Sequence, residues 1–595
     1  MPESVTSRPR PSRRRRRARR RRALLIALVS LSLLLSATGW LGLRVSQART
    51  HLLNAAALAQ ELSSQLLAGD TDRAQRTLAA LQEQAARART ATGDPSWWAA
   101  GWTPYAGDDL TAVRRVAVAI DDLSRTAFPS LVGVDPAALL PQRGGLDPAA
   151  VRDVAQQLAA GDEVVQRVRD DLATISADGL VPQVASALTR LRTELDRLAG
   201  MTATTSQVAR ILPPLMGAEG PRTYLLAAQN PAEVRATGGM LGAYAVIRAD
   251  GGRVKIVGQG ASASELLRFD PPITKLSAEM RRLYTDLPGI FPANVNLTPH
   301  FPTAAKLYRE MVRRRTGTEV DGVLAVDPVA LSYLLEVIGP VKVPQGPQLT
   351  ASTAVRTLLS EAYLTLDVAE QDEFYAAAAA ATFDTLLSKK VPPADALSAF
   401  RRSVEERRIL FWSARSEEQR VLADSRMSGV LPEQESEPTV GVFLNDGTGA
   451  KLGYYLRPAA TLTVGECRPD GRRLLRLAFS LASSAPKRGL TPSVLGLGTS
   501  IPPYTVRTLV YVFSPAGGAV IGGRLDGDEV SLGSGTERGR QVVVATVELR
   551  PGTSRTLEVD LLTAERTVAG TADLWHTPTA TPWTTQIDPA PACNQ

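Results

Sequence analysis

The sequence predicts a multidomain, membrane-anchored chain: a transmembrane helix, an α-helical stalk, an α/β domain and a C-terminal antiparallel β-sandwich. Three observations predict it. An arginine run is followed at once by an uncharged apolar stretch. Helical leucine spacing then continues to about residue 215. Beyond it strands and helices alternate, until only strand-like runs remain after about residue 438.

Charge comes first, because the average misleads. Residues 1–22 carry eleven arginines against the single acid Glu3, a net of +10, so the chain's formal +8 leaves −2 for residues 23–595. Positive charge confined to one terminal run argues against a nucleic-acid-binding domain, which needs cations spread along a phosphate backbone. The segment ALLIALVSLSLLLSATGWLGL, residues 23–43, has no charged side chain. At about 1.5 Å per residue it spans roughly 30 Å as a helix, one hydrocarbon core. Positive flanks stay inside, which predicts residues 1–22 as a basic cytoplasmic tail in a single-pass plasma-membrane topology, with the bulk of the chain extracytoplasmic. A cleaved signal peptide is the alternative, but its apolar core is usually shorter, about 7–15 residues.

Residues 44–215 read as an extracytoplasmic helical region: a leucine-rich stretch ending at Gly93-Asp94-Pro95, then helices near 109–127, 147–176 and 181–212. The segment PSWWAAGWTPYAG concentrates Trp97, Trp98, Trp102 and Tyr105. It fits either a hydrophobic plug between helices or an interfacial aromatic belt. Residues 216–432 read as the α/β domain: strands TYLLAAQ, AYAVIRA and GGRVKIVG, then helix, strand GVLAVD, helix PVALSYLLEVIG and strand PVKVP, closed by helices near 351–366 and 371–426, the second broken by Pro392-Pro393. Residues 438–575 give apolar runs separated by Gly, Pro and Asp at sandwich spacing, seven or eight strands in all. Residues 576–595 read as an extended tail.

Several enzyme motifs fail. Gly447 to Lys451 lacks the spacing of a phosphate-cradling loop, Gly533 to Gly539 is too long for a dinucleotide turn, and Gly260 to Ser264 lacks the last glycine of a nucleophile elbow. His51, His300 and His576 are far apart, and Cys467 and Cys593 are the only cysteines, so no zinc or Cys/His cluster is visible. The two cysteines fit either buried free thiols or, outside the cytosol, one disulfide joining the C-terminal domain to its tail.

The informative segment is QNPAEVRATGG. Gln229, Asn230, Glu233, Arg235, Thr237, Gly238 and Gly239 fall between two strands, where rigid elements hold a loop. Arg235 offers a planar fork for phosphate, and the glycines would let backbone N–H groups approach an anion. The structural alternative is a turn in which Arg235 pairs with Glu233. Asp327 before Pro328 reads as a helix N-cap, and Arg313 to Arg315 as a solvated C-terminal helix face.

With PANVNLTPHFPTAAKLY, DGVLAVDPVALSYLLEVIGPVKVP and VGVFLNDGTGAKLGYYL, that segment resembles the DUF4012 family of bacterial membrane-anchored proteins of unassigned function. The middle domain also resembles, distantly, the LytR-CpsA-Psr phosphotransferases, which move glycan polymers from polyprenyl-pyrophosphate carriers onto the cell wall. That resemblance implies a phosphate-binding Arg235, substrate contacts at Asn294, Asn296, Arg415 and Arg420, and Mg²⁺ as a helper cation. His300, in the loop beside Asn294 and Asn296, joins the substrate set. Two departures weigh against catalysis: the family's Arg-Ser-Asp-Thr is Arg235-Ala236-Thr237-Gly238 here, and where its second strand ends in a Pro-Arg-Asp element this chain gives VGQGASASELL, with no arginine until Arg268. The expectation is a cell-envelope protein that binds, and in the catalytic version transfers, a polyprenyl-(pyro)phosphate-linked glycan during wall or exopolysaccharide assembly. The alternative is a non-catalytic envelope scaffold for a polysaccharide-export or wall-synthesis partner.

Overall fold

The structure, a computed structural model, describes residues 13–595 except 68–69, 105, 135–144, 390, 424, 436, 497–500, 566, 568, 592 and 594–595. Residues 1–12 of the basic tail and Tyr105 of the aromatic segment therefore lie outside the described residues. Contacts divide the chain into two compact units, residues 1–135 with 153–209, and residues 136–152 with 210–595.

The first unit is helical. Its helix α1 (Arg13–Leu67) contains the one stretch among the described residues that is long and apolar enough to cross a membrane. The apolar side chains of that stretch, Leu24, Leu25, Ile26, Leu28, Val29, Leu31, Leu33 and Leu35, are all exposed, whereas the polar-interrupted second half buries Ala48, Ala55 and Leu62. Helix α2 (Thr71–Thr92) is N-capped by Asp70, whose carboxylate accepts from the Arg73 N–H, and lays Leu78 and Leu81 against Leu62. Helices α3 (Pro95–Ala100) and α4 (Gly107–Asp122) follow. The helices Pro148–Ala173 and Pro182–Leu215 contribute Val165, Leu172 and Leu195 to a second small core with Leu123. The helical limits read from the sequence hold to within a few residues.

The second unit contains a five-stranded sheet in the order β3-β2-β1-β4-β7, formed by β1 (Arg222–Arg235), β2 (Gly238–Asp250), β3 (Arg253–Ala261), β4 (Gly322–Val326) and β7 (Ile409–Ser413). Strands β5 (Val341–Lys342) and β6 (Gln348–Leu349) make a separate ribbon. β1 and β4 run parallel, joined through the helix Phe301–Thr316, while the outer pairs are antiparallel. Two readings are corrected. The span 371–426, expected to be helical with a break at Pro392-Pro393, does break there, between helices Val368–Ser388 and Pro393–Glu405, but it also holds β7 before the helix Ser416–Leu422, and the Ile409-Leu-Phe-Trp412 run of β7 closes the sheet edge. The QNPAEVR segment is not a loop: β1 continues through it, absorbing Pro231 by shifts in register between Asn230 and Val234.

The remaining strands are β8 (Thr439–Asp446), β9 (Leu456–Cys467), β10 (Arg473–Ser483), β11 (Val506–Phe513), β12 (Ala519–Leu525), β13 (Asp528–Glu529), β14 (Gly533–Glu537), β15 (Arg540–Leu549), β16 (Ser554–Leu562), β17 (Asp573–His576) and β18 (Thr584–Asp588). They form a six-stranded sheet, β13-β12-β16-β10-β9-β18, and a five-stranded one, β14-β15-β11-β8-β17. Leu462, Leu477, Phe479 and Leu561 from the first sheet and Leu444, Val510 and Val512 from the second share one core, as the alternation of apolar residues requires. The sheets are mixed rather than antiparallel throughout, because β17 joins β8 and β18 joins β9 in parallel. The expected tail is thus partly sheet: β18 lies inside it, and Cys593 is bonded to Cys467 at the end of β9. The other face of the five-stranded sheet, through Phe443, Tyr511, Phe513 and Trp575, enters the same core as Tyr308 and Phe301 of the α/β part.

Candidate functional site

The β1–β2 hairpin explains where most of the singled-out residues go. Its turn is Ala236-Thr237, and a Cβ on Gly239 would fall 2.0 Å from the carbonyl carbon of Asn230, so only glycine lets the strands close there. Gly238, at φ +140°, is likewise a position that side chains avoid.

Around this tip the structure gathers Gln229, Thr237 and Asn296. Both side-chain amides donate to the Thr237 hydroxyl, at 2.7 and 2.9 Å, and Asn296 also donates to the Gly239 carbonyl. Asn230 donates to the Tyr363 hydroxyl and accepts from the Ala232 N–H. The sandwich completes the arrangement: Asn445 of β8 accepts from the Ala236 N–H and donates to the Leu297 carbonyl, and the Thr577 hydroxyl donates to the Ala236 carbonyl. All of these side chains are buried.

Arg235 is the decisive member. Only 4% of it is exposed, and each of its three nitrogens donates to a protein oxygen: Nε to Ala293 O at 3.0 Å, one terminal nitrogen to Val234 O at 2.9 Å, the other to Glu233 Oε1 at 2.7 Å and Asn294 Oδ1 at 3.1 Å. A diphosphate needs an open edge of the fork, and here four of the five N–H donors are committed on a guanidinium that is buried. The carboxylate nearest to this pair in charge terms, Asp446, has its pKa pushed up to about 6 by burial, with Arg235 opposing and Glu233 reinforcing the shift.

The donor set also decides how well Mg²⁺ fits here. Glu233 is committed to Arg235, and the oxygens of Asp446 accept from the Thr448 N–H, the Thr448 hydroxyl and the Gly449 N–H. A cation would have to displace a guanidinium already paired with Glu233, so these residues do not make a magnesium site. Among the described residues no group of three or more His, Cys, Asp or Glu side chains is placed to hold a metal.

Arg415 and Arg420 are not brought to this place. Ser413 pairs with Gly322, which pairs with Tyr224, so the helix Ser416–Leu422 lies at the start of β1. Arg235 is eleven residues further on, roughly 30 Å along the strand. The buried cation at the near end is Arg222, paired with Glu418 at 2.8 Å, while Arg415 and Arg420 are exposed. The assignment of these two arginines to the Arg235 site is corrected accordingly.

His300 sits in a cleft of about 390 Å³ lined also by Leu431, Glu433, Phe513, Glu537, Arg538 and Arg540. It N-caps the helix Phe301–Thr316: Nδ1 accepts from the Thr303 N–H, which fixes the proton of the neutral ring on Nε2. Burial, with the positive charges of Arg538 and Lys306, holds its pKa down at about 3. Glu537, buried behind it, accepts from the Tyr284 hydroxyl at 2.6 Å and from Thr298, and burial raises its pKa. Asp327, for its part, caps the helix Pro328–Ile338 through the Ala330 N–H and pairs with the buried Arg408 at 2.8 Å.

Glu537, Asn445, Asp446 and Thr577 were not among the residues expected at a site. Asn445 and Asp446 stand inside the VGVFLND segment, whose unbroken apolar run ending in two side-chain amide and acid groups is the only signal that marks them.

Residues 219–363 match the model of DUF4012, a family described as a protein of unknown function. The match covers β1 to β6 and ends at Tyr363, the partner of Asn230. No curated protein matches the chain.

Proposed function

We propose that the chain is a membrane-anchored, non-catalytic scaffold of the cell envelope. Helix α1 holds it in the plasma membrane with the arginine run on the cytoplasmic side, and the chain beyond the apolar stretch presents surfaces outside to an export or wall-synthesis partner. The observation that carries this reading is the sealing of Arg235: the group best suited to clamp a lipid diphosphate spends its donors on Ala293, Val234, Glu233 and Asn294. A buried guanidinium with four of its five N–H donors bonded to protein oxygens stabilises a fold and has little left to offer a bidentate ligand. The commitment of Glu233 and Asp446 to other donors supports the same reading, since phosphoryl transfer needs a cation at the developing charge. Polyprenyl-linked glycan transfer, the expectation drawn from the family resemblance, is the weaker alternative.

The test is lipid mass spectrometry on the full chain purified from membranes, beside Arg235→Met. The scaffold reading expects no enrichment of polyprenyl (di)phosphates over bulk phospholipid in either protein. Enrichment in the wild type that vanishes in a still-folded Arg235→Met variant would overturn it.

A further inference from the structure

The aromatic segment after α2 sits at one defined height on α1. Asp94 ends the α2–α3 connection, and its carboxylate accepts from the Trp40 Nε1–H at 3.3 Å and from Arg44 Nε at 3.2 Å, while Arg44 stacks over the Trp40 ring at 4.7 Å. Trp40 and Arg44 bracket the end of the uncharged stretch 23–43. The same carboxylate caps α3 through the Ser96 N–H, and hydrogen bonds from Ser96 hold its pKa below the usual range, so it is charged at neutral pH. Trp97, only 2% exposed, fixes the inner face of α3: it packs with Leu41, Ala48 and Ala91, and its indole N–H donates to the Leu110 carbonyl at 2.8 Å.

The next two indoles do the opposite. Trp98 and Trp102 are 62% and 77% exposed, touching edge to face at 5.8 Å. They border a cleft of about 480 Å³ together with Arg114 and Arg115. Arg115 is committed to Asp171, but Arg114 is exposed and forms no ion pair among the described residues. Exposed tryptophan pairs are costly in water and stable where an apolar body meets a polar layer.

We propose that Trp98, Trp102 and Arg114 form a second membrane contact, in which the two indoles enter the headgroup layer of the leaflet that α1 leaves and Arg114 meets a lipid phosphate. This rests on the reading that α1 spans the membrane. The occupant follows from position: α3 is tied by Asp94, Trp97 and Leu41 to the last turns of the apolar stretch, and an exposed aromatic pair at that height faces headgroups. A second contact point would prevent α1 from turning freely about its own axis in the bilayer and would set the direction in which the rest of the helical unit leaves it.

The test uses the full chain in nanodiscs of phosphatidylcholine and phosphatidylglycerol containing a nitroxide-headgroup lipid, with tryptophan fluorescence as readout. Wild type is compared with Trp98→Phe/Trp102→Phe and with Trp40→Phe, all exposed or partly exposed rings whose exchange leaves the packed Trp97 in place. The proposal expects headgroup quenching in the wild type to fall to about one third in the double variant, because one of three interfacial indoles remains. Arg114→Gln is expected to lower the quenching gained by adding phosphatidylglycerol. Quenching unchanged in the double variant but lost in Trp40→Phe overturns the proposal and leaves the spanning helix intact. Absence of quenching in the wild type overturns both.

Discussion

Replacing Arg235 by methionine removes the cation that pairs with the buried Glu233. The stem keeps its volume, so the loss is electrostatic: one buried ion pair at 2.7 Å and hydrogen bonds to Ala293 O, Val234 O and Asn294 Oδ1. Breaking a buried pair from one side costs about 3–5 kcal/mol, most of it the unpaired charge that stays behind. Unfolding entropy of about 2.1 cal/mol/K per residue gives ~0.85 kcal/mol/K for a cooperative unit of about 400 residues. A loss near 4 kcal/mol then lowers Tm by about 5 °C. The assay is thermal unfolding of the detergent-solubilised full chain, for wild type, Arg235→Met, Glu233→Gln and the double variant. Because Glu233→Gln removes the charge that Arg235→Met strands, the double variant is expected to melt above Arg235→Met, a non-additivity of about 1–3 kcal/mol. A surface phosphate clamp behaves differently. If Arg235→Met melts within about 1 °C of wild type, or the double variant shows simple additivity, the sealed-arginine reasoning is wrong.

Other outcomes follow from the same geometry. Asp446 binds its proton more tightly in the folded state, about 6 against 3.8, so its contribution is present at low pH and is lost as pH rises from about 4 to about 6. This amounts to at most ~3 kcal/mol, and Asp446→Asn should flatten that interval of the pH–stability curve relative to wild type. His300 and His576 have the opposite sign: with folded values near 3 and near 4, their neutral forms stabilise above 6.5, and that stability drains as pH falls below it. Their ring signals should not titrate between pH 8 and pH 5 by NMR, and a shift midpoint near 6.5 for either would contradict the burial described. Gly239→Ala forces a methyl onto the Asn230 backbone and should abolish folded, protease-resistant protein, whereas Gly527→Ala, where nothing is in the way but φ is +90°, should cost about 1 kcal/mol. Equal protease resistance of the two variants would contradict the close approach at the hairpin tip.

What could be read from sequence was what is local. Helical leucine spacing placed the helices of the first unit, and alternation placed strands such as RLLRLAFSLAS, because both signals repeat within a dozen residues. The β7 strand was hidden because Ile409-Leu-Phe-Trp412 is a short apolar run between charged helices, which periodicity cannot separate from helix. β18 was hidden because Thr584-Thr-Gln-Ile-Asp588 has one apolar residue and owes its place to pairing with β9. The segment around Arg235 was correctly singled out for its residue types, yet its environment could not be read. Asn445 and Thr577, which hold the adjoining Ala236, stand 209 and 341 positions away, and Ala293 and Asn294, which take the Arg235 donors, stand 58 and 59 away, so no local signal reports them.

Those separations also set a clock. The Ala236 carbonyl waits for the Thr577 hydroxyl, and at about 5–20 residues per second the intervening chain takes roughly 20–70 s to be made. Until the last part of the chain is made the α/β sheet lacks β17 on its far side, and Cys467 lacks Cys593. Helix α1 and the helical unit, which ends at Ala209, are complete long before. The α/β sheet is therefore closed last: between the completion of β7 and of β17 lie about 160 residues, roughly 10–30 s of synthesis, in which its exposed strands must be kept from pairing with those of another chain.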